Sequence, residues 1–214
     1  MNEDSNLEMI SPPLRETYLY AMFQNTEKGK KLCDEYSAFL KTLWDNGTID
    51  ALNKKWLGSD ESEKTLDDYS NLPAVNGSLK FAVDPSLVPF AYVRDNRLIG
   101  YDVEIAVMFC KAKGYSLEIQ AMSLSALITS VKTGKSDFSC SMNITEERSE
   151  NTIFSTTPTI KSGNVLVVMK SSKLASVPVS GSVQSKNILS FWHDLVLSFK
   201  KTFIRENRWL LFAE

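Results

Sequence analysis

Residues 141–148, Ser-Met-Asn-Ile-Thr-Glu-Glu-Arg, overlay three chemistries on one stretch. Asn143-Ile144-Thr145 is a glycosylation sequon. Thr145 is also a helix cap that opens a polar turn through Glu146, Glu147 and Arg148. As a polar strand end, the same residues deliver main-chain groups and one guanidinium to a small ligand. These readings stay open on the residues alone. A second place of similar character is Asp84, directly after the apolar run Phe81-Ala82-Val83.

Other chemistries are poorly supported. His193 is the sole histidine of the 214 residues and sits in the C-terminal tail, whereas a hydrolytic triad would need it in a cleft. Cys33, Cys110 and Cys140 are widely spaced, with no Cys-x-x-Cys and no Cys/His cluster. They read as free, buried thiols, and neither a metal nor another cofactor is expected. A net charge of −2, without a basic cluster interleaved with aromatics, argues against a nucleic-acid surface. The N-terminal segment is acidic and polar and does not read as a signal peptide. No run of 18 apolar residues would span a bilayer.

The elements that must position these residues follow from periodicity. Residues 17–23 are β-branched and aromatic, predicting a strand. Thr26 caps a helix over 27–45, whose Leu32, Tyr36, Phe39, Leu40 and Leu43 form one apolar stripe ended by Gly47. Thr48 caps a shorter helix holding Ile49, Leu52 and Trp56, closed by Gly58. Residues 59–78 are acidic and rich in turn formers, a solvated connector. A strand at 79–83, extended residues 88–93 and a turn at Asp95-Asn96 come next. Then follow a helix from Tyr101 to 113, a strand at 116–121 and a helix from Ser123 to Gly134. A strand at 137–141, the turn at Thr145 and Ile153-Phe154 complete the pattern. Asn164–Met169 is almost wholly apolar and is expected to be buried on both faces. Residues 171–187 read as a linker. Residues 188–214 read as a basic amphipathic helix rich in Trp and Phe, suited to a membrane interface or a partner groove. Alternating strands and helices predict an α/β fold with a mostly parallel sheet flanked by helices. Ligands of such sheets bind beyond the strands' carboxyl ends, where Asp84, Ser141 and Asn143 fall.

Five segments in order carry a resemblance: Asp84-Pro85-Ser86-Leu87-Val88-Pro89-Phe90, Gly100-Tyr101-Asp102-Val103, Gly134-Lys135-Ser136-Asp137, Asn143 to Arg148, and Phe154-Ser155. Over about 79–170 the chain resembles the extracellular solute-binding proteins of family 3. These are the amino-acid-capturing components of bacterial ABC importers, with the type 2 periplasmic-binding-protein fold. Residues 35–58 resemble that family's closing helices but precede its opening strand, implying a circularly permuted member. The tail resembles the segment before the first membrane helix of fused permeases. The resemblance thus implies a single lobe plus a C-terminal amphipathic helix. Its parts are a remnant of the second lobe at 1–16, closing elements of the first lobe at 17–58, the connector, the main α/β part at 79–170, the linker and the pre-membrane helix. It also implies an apparently truncated product whose full-length parent is covalently fused to an ABC permease, extracytoplasmic and tethered at the membrane surface through 188–214.

Matched residue by residue, the resemblance assigns the ligand's carboxylate to Arg148 and to donors of Asn143. It assigns the ammonium to the Ser141 carbonyl and Asp84, with Cys140 beside them. Leu87 and Leu124 occupy positions where family members often place rings against the ligand's side chain. Loss of both rings argues mildly against a basic ligand. The implied function is capture of a free polar amino acid without catalysis. A non-binding interaction domain and, more remotely, a dehydratase-like enzyme on the same fold are the alternatives.

Overall fold

In the computed structural model, residues 6–171 are described. Strand β1 (Leu7–Gln24) leads into helices α1 (Glu27–Asp45) and α2 (Thr48–Leu57). Next come β2 (Ser78–Val83), the hairpin β3 (Tyr92–Arg94) and β4 (Arg97–Ile99), and helix α3 (Tyr101–Lys113). They are followed by β5 (Ser116–Ala121), α4 (Leu124–Lys132), β6 (Phe138–Met142), the short turn of helix α5 (Glu146–Ser149), β7 (Thr152–Phe154) and β8 (Ile160–Met169). The chain divides into two units, Pro13–Asn164 and Met1–Pro12 with Val165–Glu214. The described part of the second is the outer ends of β1 and β8, with the Lys170 N–H donating to the Asn6 carbonyl at 2.8 Å. Residues 1–5, residues 172–187 of the expected linker and the expected helix 188–214 lie outside the described residues.

Within the larger unit the sheet order is β5-β2-β6-β1-β7. β2 runs parallel to β5 along its whole length and parallel to β6 at Phe81 and Phe138. β1 enters between β6 and β7 and is antiparallel to both. The expected parallel sheet is therefore a parallel trio extended by an antiparallel strand, which precedes the α1–α2 pair in the chain. One consequence matters for the site: β2, β5 and β6 all end at the same edge.

Periodicity explains the helical flank. In α1, Leu32, Cys33, Tyr36, Leu40 and Leu43 are buried, and the Thr26 hydroxyl accepts the Gly29 N–H at 3.2 Å. In α2 the buried residues are the expected Ile49, Leu52 and Trp56. Here the N-cap is Gly47, in the left-handed region at φ 78°, rather than Thr48. A glycine takes that conformation at little cost, so one residue both ends α1 and starts α2. Against this flank Tyr36 meets Phe109 edge-on at 4.7 Å, and Phe81 stacks on Phe138 at 4.7 Å. Glu104 on α3 accepts from Trp56 Nε1 at 2.6 Å and from Lys55 Nζ at 2.8 Å, tying α2 to α3.

Two expectations fail. The connector is not merely solvated. Arg94 donates to the Lys64 carbonyl at 3.0 Å and Arg97 to the Asp67 carbonyl at 2.8 Å, while Leu66, Tyr69 and Leu72 pack against the core. Nor is the apolar strand covered on both faces: Val165, Val167 and Met169 are 38%, 53% and 57% exposed. Apolar composition sets what a strand can bury, but neighbours decide whether it does. Among the described residues no helix is long and apolar enough to cross a membrane.

Candidate functional site

The parallel trio delivers three chain segments to one edge. From β2 comes Asp84, half-buried, then Leu87 and Val88, 45% and 65% exposed. From β5 comes the start of α4, with Leu124 38% exposed. From β6 come Ser141, Asn143 and, one turn on, Arg148.

Asp84 folds back on its own loop. Its Oδ1 accepts the Ser86 hydroxyl at 2.7 Å and the Ser86 N–H at 3.0 Å. The Ser86 hydroxyl, then its N–H, hold the Asp84 carboxyl below the usual carboxylate range, with a smaller contribution from the Leu124 N–H. An ionised carboxylate thus stands between the ends of β2 and β5.

At the end of β6 the Thr145 hydroxyl accepts the Arg148 N–H at 3.2 Å, which is the expected helix cap. Arg148 is half-buried and donates from one guanidinium nitrogen to the Asn143 carbonyl at 3.0 Å. Among the described residues it forms no ion pair with neighbouring Glu146 or Glu147. A forked cation held by a main-chain oxygen retains donors for a planar anion.

Ser141 lies at φ 52°, in the left-handed region. A residue with a Cβ pays roughly 1–2 kcal/mol for that conformation. Its hydroxyl donates to Asp102 Oδ1 at 2.6 Å. Asp102 is 5% exposed, and burial pushes its carboxyl up to about 7, with the Ser141 hydrogen bond pulling it partly back. Sequence reasoning does not single out this residue as a candidate for the site. The available signal was an acidic residue on the stripe of Ala106 and Cys110 in a helix otherwise buried on most sides.

Cys140 does not join the edge through its side chain. It is 5% exposed, and its Sγ lies 3.1 Å from the Tyr36 hydroxyl inside the core. Burial pushes Cys33 up to about 11, Cys110 up to about 12 and Cys140 well above the ordinary thiol range. All three are free, buried thiols, poor nucleophiles at neutral pH. Among the described residues no three His, Cys, Asp or Glu side chains gather as a metal site.

The model of one family, bacterial extracellular solute-binding proteins, family 3, matches residues 79–210. An "Arginine-binding extracellular protein ArtP" of Bacillus subtilis (strain 168) is 35% identical over 89 residues, covering 40% of this chain and 35% of that protein. An "Octopine-binding periplasmic protein" of Rhizobium meliloti is 32% identical over 112 residues, covering 51% of this chain and 38% of that protein. The chain thus spans little more than a third of either relative.

Proposed function

Because the chain belongs to the bacterial extracellular solute-binding proteins, family 3, we propose that its sheet edge captures a free polar α-amino acid for an ABC permease. The observation that carries this reading is Arg148, fixed at the carboxyl edge by a main-chain carbonyl and paired with no neighbouring glutamate among the described residues. Its remaining donors suit a carboxylate bidentately. Asn143 adds N–H and amide donors. The ligand's ammonium is received by the Ser141 carbonyl and by Asp84, whose depressed carboxyl keeps it ionised. Leu87 and Leu124 flank the ligand's side chain. The relatives' names, one arginine-binding and one octopine-binding, support trying both compounds as ligands.

The proposed role is binding without covalent chemistry. Asp102 is the carboxyl with the proton affinity of a general acid, but it is enclosed and bonded to Ser141 rather than opening on the edge. Capture would take place outside the cytoplasm. We further propose that β1, α1 and α2 are the family's closing elements moved ahead of its opening strand. The family match starts at residue 79, yet β1 lies inside the same sheet and α1 and α2 share its core. Covalent fusion to a permease in the parent is part of the same reading; a continuous transcript and reading frame joining the two would test it. Moving residues 17–58 behind 170 should preserve a cooperative thermal transition, and its loss would count against the permutation.

A closed pocket buries most of its ligand. With Leu87, Val88 and Leu124 open to water, the isolated chain should bind weakly, with Kd of the order of millimolar. NMR titration with the twenty L-amino acids and octopine should shift Asp84, Ser141, Asn143 and Arg148 for at least one of them. Absence of shifts, or shifts confined to residues away from this edge, would overturn the proposal.

A further inference from the structure

We propose that Asp102 is a positioning residue: through Ser141 it holds a left-handed bulge that aims the main chain of residues 141–143 at the carboxyl edge. The inference rests on the amino-acid site proposed above and names what keeps that site in shape.

The bulge is visible in the register. Tyr20 faces Met142 and Met22 faces Ser139, so two steps along β1 oppose three along β6. Cys140 and Ser141 therefore share Ala21 as their opposite residue. The Ala21 N–H turns instead to the Ser155 hydroxyl at 3.1 Å, and the Ser155 N–H returns to the Ala21 carbonyl at 2.9 Å. A bulge of this kind re-aims a strand end and favours glycine at its left-handed position. Here a serine occupies it at φ 52°. The 2.6 Å bond from its hydroxyl to Asp102 is the interaction that compensates.

Asp102 is placed firmly enough to do this. Its N–H donates to the Phe90 carbonyl and the Tyr101 N–H to the Pro89 carbonyl, both at 3.0 Å. Gly100, at φ 139°, permits the approach, because a Cβ there would lie 2.3 Å from the Phe90 carbonyl oxygen. The loop that carries Asp84 and Leu87 therefore also fixes the start of α3. Both halves of the proposed grip, Asp84 and the 141–143 main chain, trace to that one loop.

The titratable groups coupled to Asp102 are Tyr36 from α1, its neighbour Tyr101 on α3 and Cys140 from β6. Burial raises all three, so they stay neutral around pH 7. Asp102 is itself pushed up to about 7. The serine bond is thus neutral below that pH and charge-assisted, hence stronger, above it.

The test uses the full chain with L-arginine and L-glutamine as probes. The variants are Asp102→Ala, Asp102→Asn, Ser141→Gly and Asp102→Ala combined with Ser141→Gly. Asp102→Ala should abolish the left-handed signature of Ser141 in its amide–Hα coupling and Cα shift. It should weaken the bound probe roughly tenfold. On the Ser141→Gly background the same substitution should change affinity less than about twofold, because glycine needs no support there. Asp102→Asn should keep the Ser141 signature and flatten the rise in affinity as pH passes about 7. Should Asp102→Ala not fold, Asp102→Asn and its pH profile decide. Equal losses in both backgrounds, a left-handed Ser141 that survives Asp102→Ala, or an unaltered pH profile in Asp102→Asn would overturn the inference. If neither probe binds while the Ser141 signature responds as expected, the positioning role stands and the amino-acid reading fails.

Discussion

On the flank covered by α1, α2 and α3, Tyr36, Trp56, Tyr101 and Phe109 are fully buried; at the carboxyl edge, Leu87, Val88, Leu124 and Ile144 are 45%, 65%, 38% and 52% exposed. The polar groups divide likewise. On the flank, Trp56 Nε1 and Lys55 share Glu104, and Tyr101 donates to the Thr159 carbonyl at 2.8 Å. At the edge, Asp84 is held chiefly by Ser86 and Arg148 by the Asn143 carbonyl, which fix their positions without neutralising their charges. One region converts side chains into stability, whereas the other holds charge ready at some expense in unburied apolar surface. Mutations should separate them.

The largest effect belongs to the flank. Trp56→Ala removes a fully buried ring and its bond to Glu104. It should cost about 3–5 kcal/mol of stability, read as a lower urea midpoint. A loss below about 1 kcal/mol would mean that α2 is not integral to the core.

Arg148→Ala should show the opposite pattern. If Arg148 holds the carboxylate as proposed, deleting that charge-assisted pair of hydrogen bonds should weaken amino-acid binding about 10- to 100-fold. Because the side chain is half-buried and makes one bond to a carbonyl, stability should move by no more than about 1 kcal/mol. Titration and denaturation of the same sample test both halves; a stability loss without a binding loss would erase the contrast.

Asp102 lies between the two regions and should reveal itself by pH. Its carboxyl moves from an ordinary 3.8 in the unfolded chain to about 7 in the folded one. Between those values the folded state binds more protons, so stability falls as pH rises from about 4 to about 7 and levels above. The slope is at most about 1.4 kcal/mol per pH unit. Asp102→Asn should remove this slope. Asp84 has the reverse sign, its stabilisation being lost as pH falls through its depressed value. A pH series of urea midpoints that rises between 4 and 7 would refute the burial effect.

The flank was legible in the sequence because helical periodicity directly encodes burial: Leu32, Tyr36, Leu40 and Leu43 recur on one face of α1 and are buried there. The edge was legible as a location, since Asp84 and Asn143 follow apolar strands. Arrangement within it was less so. At the bulge, the Ser141 hydroxyl bonds a partner 39 residues away, and no local spacing encodes that hydrogen bond. Cys140 looks like an edge residue in sequence, yet as one of the two bulge residues it turns its thiol inward toward Tyr36. The connector's anchorage was invisible for another reason. Arg94 and Arg97 bind main-chain carbonyls, which every sequence offers. The exposure of Val165, Val167 and Met169 reflects what covers β8, which the strand's own composition does not specify.

The smallest expected effect concerns selectivity at the edge. Leu124 begins α4 beside Asp84, contributing its N–H to that carboxylate. A ring here could face a cationic side chain without disturbing the main-chain contact. In Leu124→Phe, cation–π attraction should tighten L-arginine by about 0.5–1 kcal/mol, or roughly two- to fivefold. L-glutamine, which lacks the cation, should gain less. Since Leu124 is 38% exposed, the substitution has room and stability should change by under about 0.5 kcal/mol. Titrating both amino acids against the variant gives the difference directly. Equal gains would make the ring a source of general apolar contact, and a gain for glutamine alone would place the ligand's side chain elsewhere than over α4. A selective gain for arginine would show that the edge's open apolar surface tunes which charge is held, while the covered flank sets only whether the chain folds.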